Sequence, residues 1–143
     1  MDTTDDTLRH VLTTTRVIAL VGWSAKPDRP SHRVAQFLTR QGYRVIPVNP
    51  AQAGVVVGGE VVRASLADIA EPVDMVDIFR RSEEVGPVVA QALALPGVRT
   101  IWMQLGVVND AAAAQARAAG LTVVMDRCPA IDYPRLIGAG RVA

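Results

Sequence analysis

Residues 17–31 read VIALVGWSAKPDRPS, an apolar run followed by one glycine and a polar loop that ends in Pro-Ser. An apolar run without polar alternation is typical of a strand buried on both faces of a parallel sheet. Pro30 and Ser31 favour a helix start. In nucleotide-binding folds, the loop between such a strand and helix holds phosphates and usually carries several glycines. Gly22 stands alone here, so the pattern indicates the fold and leaves the ligand of the loop open.

Four further apolar runs repeat the pattern and predict the rest of a sheet. The predicted strands are Val17–Gly22, Arg44–Val48, Val73–Phe79, Arg99–Gln104 and Leu121–Asp126, with a weaker sixth at Gly59–Val62. Helical patterns alternate with these strands, at residues 5–14, 30–38, 85–93 and 110–119, and Ser65 with Asp68 has capping-box spacing. Residues 51–59 are predicted to be a surface loop. The strand–helix alternation predicts a doubly wound α/β sheet with right-handed crossovers.

Length and composition limit the domain organisation and the classes of partner. The chain has 143 residues, 50% hydrophobic and 20% charged, with a formal net charge of +1. This predicts one domain over residues 1–143, with a core at about 14–128 on which an N-terminal helix and a C-terminal tail pack. The apolar tail Ile131–Ile137 packs either on its own sheet or on a second copy, which leaves a homodimer open.

Charge, hydropathy and cysteine content exclude several classes of protein. The small net charge gives no indication of nucleic-acid binding, and no apolar run approaches the ~20 residues of a membrane span. Cys128 is the only cysteine, so an internal disulfide is excluded. Together with an acidic, polar N-terminus, this indicates a cytoplasmic protein.

The loop after the first strand is the strongest candidate for a binding site, because ligands of doubly wound sheets bind at the carboxyl ends of the strands. Free N–H groups at a helix start attract anions. The side chains of Ser24, Lys26, Arg29 and Ser31 add donors and positive charge. Together they indicate a pyrophosphate site without the usual glycines. The alternative is a surface loop in which Ser31 only caps the helix.

The sequence after the second strand argues against a nicotinamide cofactor. Proteins that bind NAD place an acidic residue there for the ribose hydroxyls, about 20 residues beyond the phosphate loop. Asn49 and Pro50 stand there instead, and no Asp or Glu occurs between Asp28 and Glu60. This speaks against NAD and, more weakly, against NADP. An Asn-Pro pair is otherwise typical of a plain turn.

The remaining strand ends carry further candidates. Phe79, Arg80 and Arg81 follow the third strand, where arginine can pair with phosphates and Phe79 can lie against a base; the alternative is a pair of solvated arginines, with Ser82 as a helix cap. Gly106 permits close backbone approach after the fourth strand. After the fifth, Asp126 and Arg127 are predicted to form an ion pair, and Cys128 is interpreted as an inert buried thiol.

No catalytic or metal-binding set emerges from these residues. His10 and His32 are the only histidines, and no Cys/His cluster has the spacing of a metal site. His32, in the first turn of the helix after the loop, is interpreted as an uncharged neighbour of the ligand, since a helix N-terminus disfavours an imidazolium. An enzymatic activity is therefore not predicted.

Three segments together resemble a known family. They are VGWSAKPDRPSHRVAQFLTRQGYRVIPVNP, VDMVDIFRRSEEV and IWMQLGVVNDAAAAQARAAGLTVVMDRC. In order and spacing, from about Thr14 to Cys128, they resemble the small bacterial and archaeal coenzyme A-binding proteins, which are similar to the N-terminal CoA-binding domain of the succinyl-CoA synthetase alpha subunit. The resemblance implies a Rossmann-like fold with a mainly parallel five- to six-stranded sheet, helices on both faces, and CoA or acyl-CoA as ligand.

The resemblance also implies roles for individual residues. The loop and the following helix start would hold the CoA phosphates, through Gly22, Trp23, Ser24, Lys26, Arg29, Ser31 and His32. Val48, Asn49 and Pro50 would flank the adenosine. Phe79, Arg80 and Arg81 would close over the nucleotide, and Gln104 with Gly106 would border the pantetheine arm. The missing ribose carboxylate agrees with this assignment, because CoA carries a 3′-phosphate there.

Three functional hypotheses remain at this point. The main one is a stand-alone CoA or acyl-CoA binding protein that acts as a carrier, sensor or regulatory module, since the chain lacks the catalytic part of the synthetase. A second is an enzyme that acts on a CoA-linked substrate, supported only by Cys128 and His32 near the cleft. A third is a NAD(P)-binding redox sensor. Cys128 also raises the hypothesis of a mixed disulfide with CoA.

Overall fold

The computed structural model describes residues 3–138 as helices and strands that alternate along the chain. The helices are α1 (Asp5–Thr14), α2 (Pro30–Arg40), α3 (Val85–Leu93), α4 (Asp110–Ala118) and α5 (Pro129–Leu136). The strands are β1 (Val17–Val21), β2 (Arg44–Val48), β3 (Val56–Val57), β4 (Glu60–Val61), β5 (Met75–Ile78), β6 (Thr100–Met103) and β7 (Thr122–Val124). Short 3-10 turns occur at Pro50–Gln52, Leu66–Asp68 and Ser82–Glu84.

Five strands form one parallel sheet in the order β2-β1-β5-β6-β7. The chain runs outward from β1 to β2 and then crosses back to β5 on the other side of β1, so the strand order reverses between β1 and β5. This is the predicted doubly wound, Rossmann-like architecture, and the prediction is confirmed. Four of the five strands are shorter than predicted, because residues such as Gly22, Phe79 and Gln104 already belong to the loops that follow them.

The predicted sixth strand is not part of this sheet. Residues 60–61 form β4, which pairs with β3 in a separate antiparallel hairpin. Gly58 and Gly59 make its two-residue turn with φ angles of +55° and +84°, as hairpin turns of the primed types require. The Gly-Gly signal therefore produces a local hairpin, and residues 51–59, predicted to be a surface loop, lie at the surface but include β3 and the end of a 3-10 turn. An isolated parallel bridge between Val48 and Arg63 joins this region to the edge of β2.

Helices cover both faces of the sheet and enclose two apolar cores. Because side chains alternate along a strand, Val76 and Ile78 of β5 pack beneath α3 and α4. Met75 packs on the opposite face with Ile18, Leu20 and Trp102, beneath α1, α2 and α5. The mostly alanine helix α4 buries Ala112, Ala113 and Ala116, which lets it approach the sheet closely.

The C-terminal tail packs on its own chain as helix α5. Tyr133 is 1% exposed, and its ring centroid lies 6.0 Å from that of Phe37 and 6.0 Å from that of Tyr43. Arg135 forms an ion pair with Asp5 at 3.0 Å, which joins the two terminal helices. Within residues 3–138, the apolar side of α5 therefore packs against the rest of the same chain.

The predicted ion pair between Asp126 and Arg127 is wrong. Arg127 instead donates to both carboxylate oxygens of Asp132, at 2.8 and 2.9 Å, because the turn into α5 carries its side chain away from Asp126. Burial raises the pKa of the Asp132 carboxyl, but hydrogen bonds from Arg127 and Arg135 outweigh it, so the pKa lies below its ordinary value. Asp126 adopts φ +58° and accepts a hydrogen bond from the Gly106 N–H at 2.7 Å.

Backbone contact at the β1–β5 reversal explains the single glycine of the loop. Gly22 has φ +89°, and a Cβ atom placed there would lie 2.2 Å from the Phe79 carbonyl oxygen. Its N–H donates to the Val48 carbonyl at 2.9 Å, while the Phe79 N–H donates to the Val21 carbonyl at 2.8 Å. The loop after β1 is therefore tied to both neighbouring strands at a point where no side chain fits.

Gly22→Ala should destabilise the protein far more than Gly120→Ala. Gly120 has the same φ of +89° with no atom within 4 Å of an added Cβ, so its substitution carries only the left-handed strain of roughly 1–2 kcal/mol. Gly22→Ala adds steric overlap with backbone, about another 1–3 kcal/mol. Urea unfolding followed by circular dichroism measures both losses. Equal losses would show that the contact with Phe79 is readily relieved.

Candidate functional site

The loops that follow the five parallel strands meet at the carboxyl edge of the sheet. They bring together residues 22–31, 49–52, 79–82, 104–106 and 126–128, which are separated by up to about a hundred positions in sequence. A cleft of about 380 Å³ opens between the first three of these loops. Its lining residues are Gly22, Ser24, Lys26, Arg29, Pro30, Ser31, Gln52 and Phe79.

The loop after β1 is held in shape by hydrogen bonds that extend beyond its own backbone. The Asn49 side-chain NH₂ donates to the Trp23 carbonyl at 2.7 Å, and the Ala25 N–H donates to the Gln52 side-chain oxygen at 2.9 Å. Nδ1 of His32 lies 2.9 Å from the Ser24 carbonyl oxygen, so it carries the proton that it donates. The Lys26 N–H donates to Ser24 Oγ at 3.1 Å. These contacts fix the loop where other phosphate loops use glycines.

The first turn of α2 points into the cleft. The helix begins at Pro30, whose N-cap is Arg29 without a side-chain capping bond. Pro30 has no N–H, and Ser31 is buried in the first turn, where helices leave N–H groups without intrahelical acceptors. Ser31 is therefore not the N-cap. The positive end of the helix dipole lies beside the cleft.

Positive side chains accompany this helix start. Lys26 and Arg29 are exposed and form no ion pair with any residue in the range 3–138. Asp28 lies between them in sequence, and the Asp28 carbonyl accepts a hydrogen bond from the Arg33 side chain. The two cations are thus available to a ligand anion in the cleft.

Trp23 and His32 take structural positions beside the cleft at the start of α2. Trp23 is 2% exposed and packs in the core beneath α2, and its ring centroid lies 5.7 Å from that of His32. Both residues line a separate cavity of about 520 Å³ between α2, β2 and the β3–β4 hairpin. They lie next to the cleft in sequence, but their rings are not among the groups that line it.

Residues at the end of β2 and just after it form hydrogen bonds through their backbone and amide groups. The Val48 side chain is buried in the core, while its carbonyl accepts hydrogen bonds from Gly22 and Trp23. Asn49 Oδ1 accepts from the Ala51 N–H at 2.9 Å and caps the 3-10 turn that begins at exposed Pro50. That turn brings Gln52 to the cleft, a residue that sequence reasoning missed because its stretch was interpreted as irregular.

The two arginines after β5 share a single carboxylate. Arg80 and Arg81 each lie 3.0 Å from a different oxygen of Glu84. Hydrogen bonds from Arg81 and the charges of both arginines lower the pKa of the Glu84 carboxyl. Phe79 lines the cleft, whereas the arginines lie beyond it on the rim.

Ser82 was predicted to cap the following α-helix. This prediction is wrong, because α3 begins only at Val85. The Ser82 hydroxyl accepts from the Val108 N–H at 3.0 Å, which ties the loop after β5 to the loop after β6. The Asn109 side-chain NH₂ donates to the Ser82 carbonyl at 2.8 Å and strengthens this tie.

Gln104 and Gly106 lie on the far side of the β5 loop from the phosphate cleft. Gly106 has φ +81° and is fixed by Asp126. Gln104 is 5% exposed, and its side-chain amide meets the fully buried carboxyl of Asp77. Sequence reasoning missed Asp77, although a carboxylate inside an apolar strand is a visible signal. Cys128, 8% exposed, occupies the N-cap position of α5.

Two other classes of site are not found in the described range. Within residues 3–138, no three His, Cys, Asp or Glu side chains are grouped so that they could hold a metal ion. No helix in the same range has both the length and the apolar character needed to cross a membrane.

Comparisons with known proteins agree with the geometry. The family model for a CoA binding domain matches residues 16–134. The uncharacterized protein YneT of Bacillus subtilis (strain 168) is 39% identical over 121 residues, which cover 85% of this chain and 87% of YneT. The structure of Prb, the PH1109 protein redesigned for binding, has a TM-score of 0.91 at 36% identity and covers 96% of this chain and 95% of Prb. Cell-free ID.343 from Thermus thermophilus has a TM-score of 0.88 at 38% identity and covers 94% and 99% of the two chains. The resemblance inferred from the sequence is confirmed, and the chain belongs to the CoA-binding domain family.

Proposed function

We propose that this protein binds coenzyme A or an acyl-CoA as a stand-alone carrier, sensor or regulatory module, with the phosphates in the cleft at the start of α2. One observation carries the proposal. Lys26 and Arg29, which have no ion-pair partners among residues 3–138, line the same cleft as the N-terminus of α2. Anions bind favourably where N–H groups and the helix dipole converge. The family membership supplies the chemical identity of the anion.

The remaining parts of CoA fit the neighbouring residues in this proposal. Phe79 and the turn at Asn49 and Pro50 flank the adenosine, and the absence of a carboxylate after β2 leaves room for the 3′-phosphate. Gln104 and Gly106 border the pantetheine arm, which leads toward Cys128 at the start of α5. Trp23, His32 and Val48 contribute by holding the loop in shape, since their side chains point away from the cleft.

Calorimetric titration with three ligands tests the proposal directly. CoA should bind, and 3′-dephospho-CoA should bind more weakly because it lacks one charge-assisted phosphate contact, about 10- to 100-fold in affinity. NADH should give no heat. Binding of NADH without binding of CoA would favour a nicotinamide-linked sensor, and no heat with any ligand from folded protein would contradict the proposal.

Arg29→Ala should weaken CoA binding about 10- to 100-fold, because it removes a cationic donor from the phosphate cleft. Arg16→Ala is the matched control, since Arg16 is an exposed arginine at the opposite end of β1. The same titration measures both variants. If Arg29→Ala binds CoA as tightly as Arg16→Ala, the phosphates lie elsewhere.

Glu84→Gln should strengthen CoA binding if Arg80 and Arg81 reach a phosphate. Glu84 forms ion pairs with both guanidinium groups. The neutral glutamine releases these groups and also removes a negative charge that would repel a phosphate. We expect a several-fold tighter complex whose advantage shrinks as salt is added. If the CoA affinity is unchanged in both Glu84→Gln and Arg80→Ala, the arginines beside Glu84 do not contact a phosphate.

A further inference from the structure

Asp77 places a carboxyl group in the interior of the sheet. It lies on β5 in register with Leu20 of β1 and Trp102 of β6, and 0% of its surface is exposed. Side chains alternate along a strand, so Asp77 shares a face with Met75 and lies beneath the helices α1, α2 and α5. A carboxylate in such surroundings is costly unless a cation pairs with it.

No such cation is found among residues 3–138. The charged groups of the three covering helices pair with one another or lie at the surface, and Asp77 takes part in none of these ion pairs. The titratable groups on or beneath those helices are Asp5, Asp6, Arg9, His10, His32, Arg33, Arg40, Tyr43, Arg127, Cys128, Asp132, Tyr133 and Arg135. Burial raises the pKa of the Asp77 carboxyl well above its ordinary value, against a hydrogen bond from the Ile78 backbone that lowers it.

The side chain of Gln104 meets this carboxyl. One terminal atom of its amide lies 2.9 Å from Oδ1 and 3.2 Å from Oδ2 of Asp77. An ionised carboxylate accepts only from the amide nitrogen, whereas a protonated carboxyl can donate to the amide oxygen. Gln104 keeps a small exposed fraction at the carboxyl end of β6. The proton on Asp77 thus decides which amide atom is presented to a ligand.

We propose that Asp77 is a positioning residue that, as an uncharged acid, donates its proton to the side-chain oxygen of Gln104 and leaves the Gln104 NH₂ group to donate to a carbonyl oxygen of the ligand. The inference rests on the proposed function, in which Gln104 borders the pantetheine arm. The amide carbonyls of that arm, and the thioester carbonyl of an acyl-CoA, are acceptors. An ionised Asp77 would bind the NH₂ group and present the Gln104 oxygen, which repels the same carbonyls.

The protonation state is tested by ¹³C NMR of protein labelled at aspartate side chains. The signal that disappears in Asp77→Asn identifies Asp77. We expect that signal at the position of a protonated carboxyl under the conditions of the CoA titration. A signal at the carboxylate position under those conditions overturns the inference. This readout needs no ligand, so it separates failure of the inference from failure of the proposed function.

The positioning role is tested by CoA titration of three variants. Asp77→Leu removes the donor at similar volume and should lower CoA affinity roughly 3- to 10-fold, whereas Asp77→Asn, which keeps an uncharged donor of the same shape, should recover that loss. Gln104→Met keeps the volume but removes the donor, and its affinity should fall roughly 3- to 10-fold, as expected for one neutral hydrogen bond. A tenfold loss in folded Asp77→Asn, or no loss in Gln104→Met, contradicts the assignment.

Discussion

Strands β1 and β5 approach each other so closely at their carboxyl ends that position 22 has no space for a side chain. The carbonyl oxygen of Phe79 occupies the volume that a Cβ of residue 22 would need. Gly22 also bonds to the end of β2, so three strands are fixed relative to one another around one residue. The reversal of strand order at this point separates the loops and opens the cleft between them.

The loop after β1 replaces several glycines with bonds from other parts of the chain. Glycine-rich phosphate loops present backbone N–H groups because their residues can adopt left-handed conformations. Here, within residues 22–31, only Gly22 does so. Asn49, Gln52 and His32 hold the Trp23 carbonyl, the Ala25 N–H and the Ser24 carbonyl, and each comes from a segment beyond the loop. The loop therefore depends on the 3-10 turn after β2 as much as on its own sequence, and it can carry side-chain donors where glycine would carry none.

Two regions of the carboxyl edge are cross-linked in the same manner. Ser82 bonds to the loop after β6, and Asp126 bonds to Gly106 from the loop after β7. These links join the loops after β5, β6 and β7 along one edge of the sheet. Beneath them lies Asp77, whose burial in an apolar sheet is costly and whose contact with Gln104 reaches toward the edge. An apolar residue could fill the same space in the core, so packing alone does not account for this buried acid. Its contact with the Gln104 amide does.

The sequence by itself determined the fold class, the five parallel strands, most helix bounds and the loop after β1 as the candidate binding site, because apolar runs of two-face-buried strands and the Pro-Ser helix start are local signals. It also carried the family resemblance, which rests on the order of three segments. It could not determine which polar residues meet. Gln52, Asp77 and Asp126 take their roles from residues in other segments, and the ion pair predicted from the adjacency of Asp126 and Arg127 failed because a turn separates their side chains. The sixth strand is a different case, because the Gly-Gly turn that pairs it with its neighbour is a local signal that the prediction did not use. Only the tertiary structure decides which polar residues meet, because hydrogen bonds and ion pairs between segments depend on distances that no local pattern encodes.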